Sequence, residues 1–413
     1  MINIIILSLL CVISALLGVR TRPLFLFNVW WTFWVSISLI NILNFYVVSD
    51  LIYFLITFSV IVFNLFYIFS STLKIAIFRS SYGNGYGIIK RIGLLYGFIY
   101  VSITSYLIIK SLFLINFDLS QYWQVRFFYF GIPLPGEDIS VSMFPSPLFA
   151  WCYQVCSSLV LFFFLVFLSK YDVRCIVYML FCVTLFCILT SGRDIIIYLF
   201  VYLVYSFKTS SMARNYMPIL LLCIVVLLIS IYRSNGLLMV FYAAISYFTG
   251  SIVYLDTMIS TSQSHVFYFG EVVFSQVFTI FYKVFELASG VEAVPPFLKI
   301  GHELMEFSQI SDNSPFYNYY NALPTWYYFF FRDFSYFGFI FYPAIIGLLI
   351  GVVYKSLSCS VREHAVIMSY IEVCLMWSIF KPMIFEPSSI IVILMYFIYL
   401  GKYVVRTNSN YSV

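Results

Sequence analysis

Three arginines stand where an arginine is costly. Arg193 lies in Thr190-Ser191-Gly192-Arg193-Asp194 between two apolar runs, Arg233 directly follows another, and Arg332, with Asp333 beside it, precedes a fourth. A guanidinium at such a boundary needs water, a partner or an anion. Its planar fork meets phosphate oxygens two at a time, which a lysine ammonium does not do. A helix from Arg193 to Lys208 rises about 22 Å against roughly 30 Å of hydrocarbon, so Arg193 is expected at the floor of an outward-facing cavity. Two readings stay open. The three are boundary arginines that snorkel to the interface or, for Arg193, pair with Asp194. Alternatively they are contacts for a diphosphate held at headgroup depth.

Candidate proton acceptors cluster in 233–333: Asp256, Glu271, Glu286, Glu292, Glu303, Glu306 and Asp312, with His265 and His302. The densest run is Gly301-His302-Glu303-Leu304-Met305-Glu306. Each acid also reads as a solvated loop charge, and the pattern does not choose a base. Glu372, in the middle of the apolar stretch 365–381, is either a proton relay or a helix-packing carboxylate. No acidic pair, H-E-x-x-H or Cys/His cluster has metal-ligand spacing, so no metal and no cofactor are expected. The phosphate loop of ATP-driven pumps and the G-x-S-x-G nucleophile turn are also missing from the sequence.

The elements that must position these groups are membrane helices. Of the 413 residues, 63% are hydrophobic and 9% charged, too few polar groups to cover a surface in water. The net charge of +5 is spread between apolar segments and is no nucleic-acid footprint. The pattern predicts an all-α, polytopic fold, one membrane domain over 1–413 with about eleven spans. These are 2–19, 24–48, 51–72, 92–115, 147–169, 175–190, 195–207, 216–232, 334–354, 365–381 and 388–404. Connections alternate between a basic set (Arg20, Lys74, Lys90, Lys170, Lys208, Lys355 and others) and an acid-rich set, which puts the basic set in the cytoplasm. Two larger outer loops follow, 116–146 and 233–333. The first part of the second, 237–259, is expected to lie along the membrane surface or dip into it.

The segment Tyr317-Asn318-Tyr319-Tyr320-Asn321-Ala322-Leu323-Pro324-Thr325-Trp326-Tyr327-Tyr328, running on to Phe331-Arg332-Asp333-Phe334-Ser335-Tyr336-Phe337-Gly338, resembles the end of the large periplasmic loop of Wzy-type O-antigen polymerases. Ser335-Tyr336-Phe337 depart from that pattern, standing where a direct Phe-Gly is usual. Ser191-Gly192-Arg193 opening a helix, and Arg233 followed by Tyr247-Phe248-Thr249-Gly250, are also similar to that family. The resemblance implies a glycosyltransferase of the bacterial inner membrane with its active site facing the periplasm. It would pass a growing glycan from undecaprenyl diphosphate to a new lipid-linked repeat unit. Arg193, Arg233, Arg332 and His302 would be catalytic, and Asp194, Asn321, Thr325 and Asp333 substrate-binding. The partners implied are the undecaprenyl-diphosphate-linked oligosaccharide, membrane lipid, a chain-length regulator (a polysaccharide co-polymerase) and a flippase, with no nucleic acid. An O-antigen ligase or a lipid-linked oligosaccharide flippase remains the alternative.

Overall fold

The computed structural model describes residues 2–18, 22–72, 86–130, 141–190, 195–209, 237–261, 267–275, 308–312, 325–357 and 361–404, with 278, 281–282, 285, 288–290, 314 and 319–320 between them. Its helices are α1 (Ile2–Leu16), α2 (Arg22–Ile40), α3 (Asp50–Thr72), α4 (Tyr86–Leu114), α5 (Val125–Phe130), α6 (Pro147–Ser169), α7 (Val173–Thr190), α8 (Ile195–Thr209), α9 (Leu237–Thr261), α10 (Trp326–Phe334), α11 (Gly338–Ser356), α12 (Arg362–Met376) and α13 (Pro387–Val404). The strands are two residues each, β1 (Ser308–Gln309) antiparallel to β2 (Tyr319–Tyr320).

Among the described residues, six helical stretches are long and apolar enough to cross a membrane: Arg22–Ile40, Asp50–Ser70, Tyr86–Leu114, Cys152–Ser169, Val173–Thr190 and Trp326–Lys355. The chain is a polytopic helical membrane protein. The expected span 216–232 lies outside the described residues. The chain divides into two compact units. One is Met1–Ile77, Ile229–Ser358 and Ile371–Glu386; the other is Phe78–Leu228, Cys359–Tyr370 and Pro387–Val413.

In the first unit, α3 and α11 run in the same direction and pack backbone to backbone. A Cβ on Gly347 or Gly351 would collide with the carbonyls of Phe63 and Tyr67. Pro343 lacks the N–H that would bond the carbonyl of Phe339 one turn earlier. The Ser59 hydroxyl, from α3, donates to that carbonyl instead at 2.6 Å. Asn28 of α2 and Asn64 of α3 exchange side-chain amide bonds at 2.9 and 2.8 Å, both buried. Asn28 also donates to the Leu10 carbonyl of α1. Amides satisfied in this way tie three helices together without leaving a polar group bare.

Two expectations are refined here. The first is the span 24–48, whose helix stops at Ile40 because Asn41 and Asn44 take left-handed backbone angles, φ 52 and 54. The Asn41 side chain then holds the N–H and carbonyl of Phe45. Residues 43, 45 and 48 are buried against protein, and Tyr46 N–H donates to the Ile310 carbonyl at 2.8 Å. The second is 237–259, expected to lie along the membrane surface or dip into it. It forms α9, 25 residues running beside α2 in the same direction. Phe248 stacks on Trp34 at 4.1 Å and meets Trp30 at 5.4 Å. Val253 faces Leu43 and Phe45, and the Asp256 carboxylate accepts from Ser49 N–H and hydroxyl at 2.8 and 2.7 Å. Asp256, near the end of α9, thus lies at the Ile40 end of α2.

In the second unit, neutral groups cap α6 and line the packing around 119–130. Ser146 caps α6 by accepting from Phe149 N–H, with Pro147 at the first helical position. Beneath the segment 119–130, Tyr100 and Tyr153 stack at 5.5 Å, and Tyr129, Phe144 and Phe186 close round Tyr153. Thr104 and Tyr153 share a hydroxyl hydrogen bond at 2.7 Å, while Lys110 donates to the Met143 carbonyl at 2.5 Å. At the opposite end of α4, Asp172 accepts from Lys90 at 2.6 Å and Tyr86 at 2.8 Å. Burial pushes the Asp172 carboxyl up, but those donors and the Cys175 N–H outweigh it and hold it below the usual carboxylate range.

Candidate functional site

Arg332 and Asp333 end α10, a helix of nine residues of which eight are buried. Aromatic side chains at nearly every position seat it deep in the first unit. Trp326 lies 5.7 Å from Phe27, Tyr327 is 5.1 Å from Trp31, and Phe330 stacks on Tyr342 at 4.5 Å. The chain then turns through Ser335–Phe337 into α11, with Ser335 at φ 52. Gly338 sits against the Phe330 carbonyl, where no Cβ has room. The span expected over 334–354 corresponds to α11, which α10 and the tight turn precede. Ser335-Tyr336-Phe337, the departure noted in the sequence, form that turn.

The level of Arg332 follows from the packing of α11 on α3. Phe339 is bonded to Ser59, which lies nine residues into α3, so α11 starts about 13 Å from the Asp50 end of that helix. Asp333 joins α11 one turn further along, through Tyr342. Arg332 therefore lies level with the interior of α3 and not with its Asp50 end.

Asp333 is fully buried. Its carboxylate accepts Val272 N–H at 2.9 Å, Val273 N–H at 3.1 Å and the Tyr342 hydroxyl at 2.6 Å. Its main-chain carbonyl accepts from Tyr268 N–H at 3.2 Å and Phe269 N–H at 3.3 Å. Gly270, at φ 98, lets the chain turn between these two clasps. With its oxygens taken by these donors, Asp333 holds the 268–273 turn on α10.

Arg332 is 8% exposed. It donates to the Tyr328 hydroxyl at 2.9 Å, one helical turn back, and its guanidinium carbon lies 5.8 Å from the centre of that ring. On another side it lies 5.6 Å from the centre of the Tyr268 ring. The aromatic faces stabilise the cation where water is scarce. An arginine held in this way presents fixed positive charge to an anion that arrives at the recess.

Thr325, at the other end of α10, is fully buried, and its hydroxyl has no hydrogen-bond partner among the described residues. It does not share the Arg332 cluster. Three of the candidate acids are structural clasps: Asp256 on Ser49, Asp312 on Tyr46 and Gln309, and Glu271 on Tyr282. Burial and the Glu271 hydrogen bond push the Tyr282 hydroxyl up. Glu372 is buried in α12. Arg193, Asp194, Arg233, His302 and Asn321 lie outside the described residues.

Sequence reasoning finds Arg332 and Asp333 but misses Tyr268, Tyr328 and Tyr342. Tyr328 carries a signal, four residues before Arg332 on one helix face. Tyr268 does not, because only the folded 268–273 turn brings it there. No family model, curated protein or solved structure matches the chain.

Proposed function

We propose that the protein is a membrane glycosyltransferase that polymerises oligosaccharide units carried on a lipid diphosphate. The observation that supports this most is Arg332, a recessed cation held by two tyrosines while the neighbouring carboxylate is occupied elsewhere. In the proposed step, an acceptor sugar hydroxyl attacks the anomeric carbon of the growing chain. The bond from that carbon to the diphosphate oxygen breaks, and the lipid diphosphate leaves with the electron pair. A base, His302 or an acid after Thr261, takes the hydroxyl proton. Arg332, with Arg193, balances the charge on the departing diphosphate. The phospho-sugar bond supplies the energy, so ATP is not needed.

The reading includes about eleven spans in a bacterial inner membrane, with the 262–325 stretch facing the periplasm. Reporters inserted before Leu237 and after Thr261 are expected to report opposite sides of the membrane; the same side for both would overturn it.

The decisive assay is ladder formation by the purified protein from lipid-linked repeat units, with no ATP added and with EDTA present. A ladder supports the reading. Loss in EDTA with recovery in magnesium moves the chemistry to carboxylates and a metal. One feature favours a second reading, a lipid-linked oligosaccharide flippase: the break between α10 and α11 resembles the interrupted helices of transporters. A deletion strain separates the two, since a polymerase defect leaves one repeat unit on the surface anchor and a flippase defect leaves none.

A further inference from the structure

We propose that the seam between α4 and α7 holds an anionic phospholipid, its phosphodiester on Arg91 and Arg174 and an acyl chain along the groove beyond them. Such a site lies wholly within the second unit and is independent of the polymerase reading. Both helices carry one spacing there: Arg91, Leu94 and Phe98 in α4, and Arg174, Val177 and Phe181 in α7. Positions i, i+3 and i+7 share a helix face, and all six residues are exposed, Phe98 at 67% and Phe181 at 50%. The two helices run in the same direction and in register. Lys90 bonds Asp172, 82 residues on, and Gly97 is covered by Tyr178 and Met179 at nearly the same interval. Arg91 and Arg174 therefore stand at one level, within about 2 Å along the helix axes. Phe98 and Phe181 match each other two turns further in. On one side of this contact Phe163 and Phe167 of α6 cover Gly93; the six residues line the other side.

The charge at this end of the seam is unbalanced. Asp172 is taken up by Lys90 at 2.6 Å, Tyr86 at 2.8 Å and the Cys175 N–H at 3.3 Å. Arg174 lies close enough to Lys90 to oppose its charge. Neither Arg91 nor Arg174 has an ion-pair partner among the described residues. With Asp172 matched by Lys90, two positive charges are left over at one level. A guanidinium takes phosphate oxygens in pairs, and basic pockets between membrane helices suit lipid headgroups. A soluble anion would use the arginines and leave the apolar groove empty; a phospholipid uses both. Arg362, at the same end of the unit, supplies the comparison. It is exposed, with its guanidinium carbon 4.8 Å from the centre of the Tyr171 ring. Ala365 and Ser369, three and seven residues on, are buried, so no groove runs from it.

The test is lipid titration of the purified full-length protein, stripped of native lipid in detergent and read by native mass spectrometry. The probes are phosphatidylglycerol, phosphatidylcholine and glycerophosphoglycerol, the last being the anionic headgroup without chains. Wild type is expected to prefer phosphatidylglycerol over phosphatidylcholine about tenfold, and Arg91→Gln and Arg174→Gln each to weaken phosphatidylglycerol binding about fivefold. Arg174→Lys keeps the charge and loses the fork, so it is expected to fall between wild type and Arg174→Gln. Arg362→Gln is expected to stay within about twofold of wild type. An equal loss in Arg362→Gln and Arg174→Gln would mean diffuse surface charge and overturn the site. Glycerophosphoglycerol competing as well as the intact lipid would overturn the lipid as occupant, leaving an anion site alone. Equal binding of the two phospholipids by wild type would overturn the role of the headgroup charge.

Discussion

The two units solve one problem with different materials. Each packs a short segment outside its long helices onto a bed of tyrosines. In the second unit the aromatic bed is neutral: Tyr100 and Tyr153 stack, Tyr129 meets Tyr153 edge-on, and the Thr104 and Tyr153 hydroxyls bond to each other. In the first unit the equivalent packing encloses Arg332 and Asp333. Burying ionisable groups is expensive, and apolar or neutral residues of similar volume often pack as well. The second unit demonstrates that alternative within the same chain. The charges in the first unit are not needed merely to seat a segment, which points to a task beyond packing.

The largest effect should come from removing the charge that distinguishes the units. Arg332→Ala is expected to abolish ladder formation with the protein still inserted, and Arg332→Lys to restore it only in part. Tyr153→Phe, in the second unit, should leave the ladder intact. Equal activity in Arg332→Ala and wild type would erase the contrast. Next comes the anchor. Asp333→Ala leaves two buried N–H groups and a hydroxyl without an acceptor, and should cost about 3 kcal/mol of thermal stability in detergent. Thr104→Ala, which removes one neutral bond from the second unit, should cost about 1 kcal/mol. Gly338→Ala should fall between them, since Phe330 must move to admit a Cβ. The smallest effect is a pH dependence at Asp172. Its folded pKa is depressed, so its contribution is complete above the ordinary carboxylate range and is lost as pH falls through the folded value. The Tm difference between wild type and Asp172→Asn should be small at neutral pH and shrink below about pH 4. A difference that grows on acidification would contradict the assignment.

Much of this was legible in the sequence because hydropathy and helix length are tightly coupled in a membrane. The expected spans 51–72, 147–169 and 388–404 match α3, α6 and α13 within a residue or two. Hydropathy failed where apolar residues face protein. Residues 42–48 look like the end of a span, yet they are irregular chain packed against 308–312. In α9, Ser246, Thr249 and Ser251 look like signs of a surface segment. Thr249 and Ser251 instead return their hydroxyls to carbonyls of their own helix and are buried. The aromatic run before Arg332 reads as loop because tyrosine and tryptophan score as interfacial, although eight consecutive residues are buried. At the site, Arg332 and Asp333 stand out by charge. Their tyrosine partners depend on tertiary contacts that no spacing rule encodes.

The close fit of α3 and α11 also has a consequence in time. Ser59 and its acceptor Phe339 are 280 residues apart. At roughly 5 to 20 residues per second, synthesis separates them by about 15 to 55 seconds. Throughout that interval the face of α3 formed by Phe63, Tyr67 and Ser70 is in the bilayer before the glycines that will cover it exist. The first unit is thus completed late, and a ribosome that stalls before residue 351 releases a chain whose third helix has no permanent neighbour on that side. Such a chain is a natural substrate for membrane quality control, while the second unit's α4, α6 and α7 are already in place.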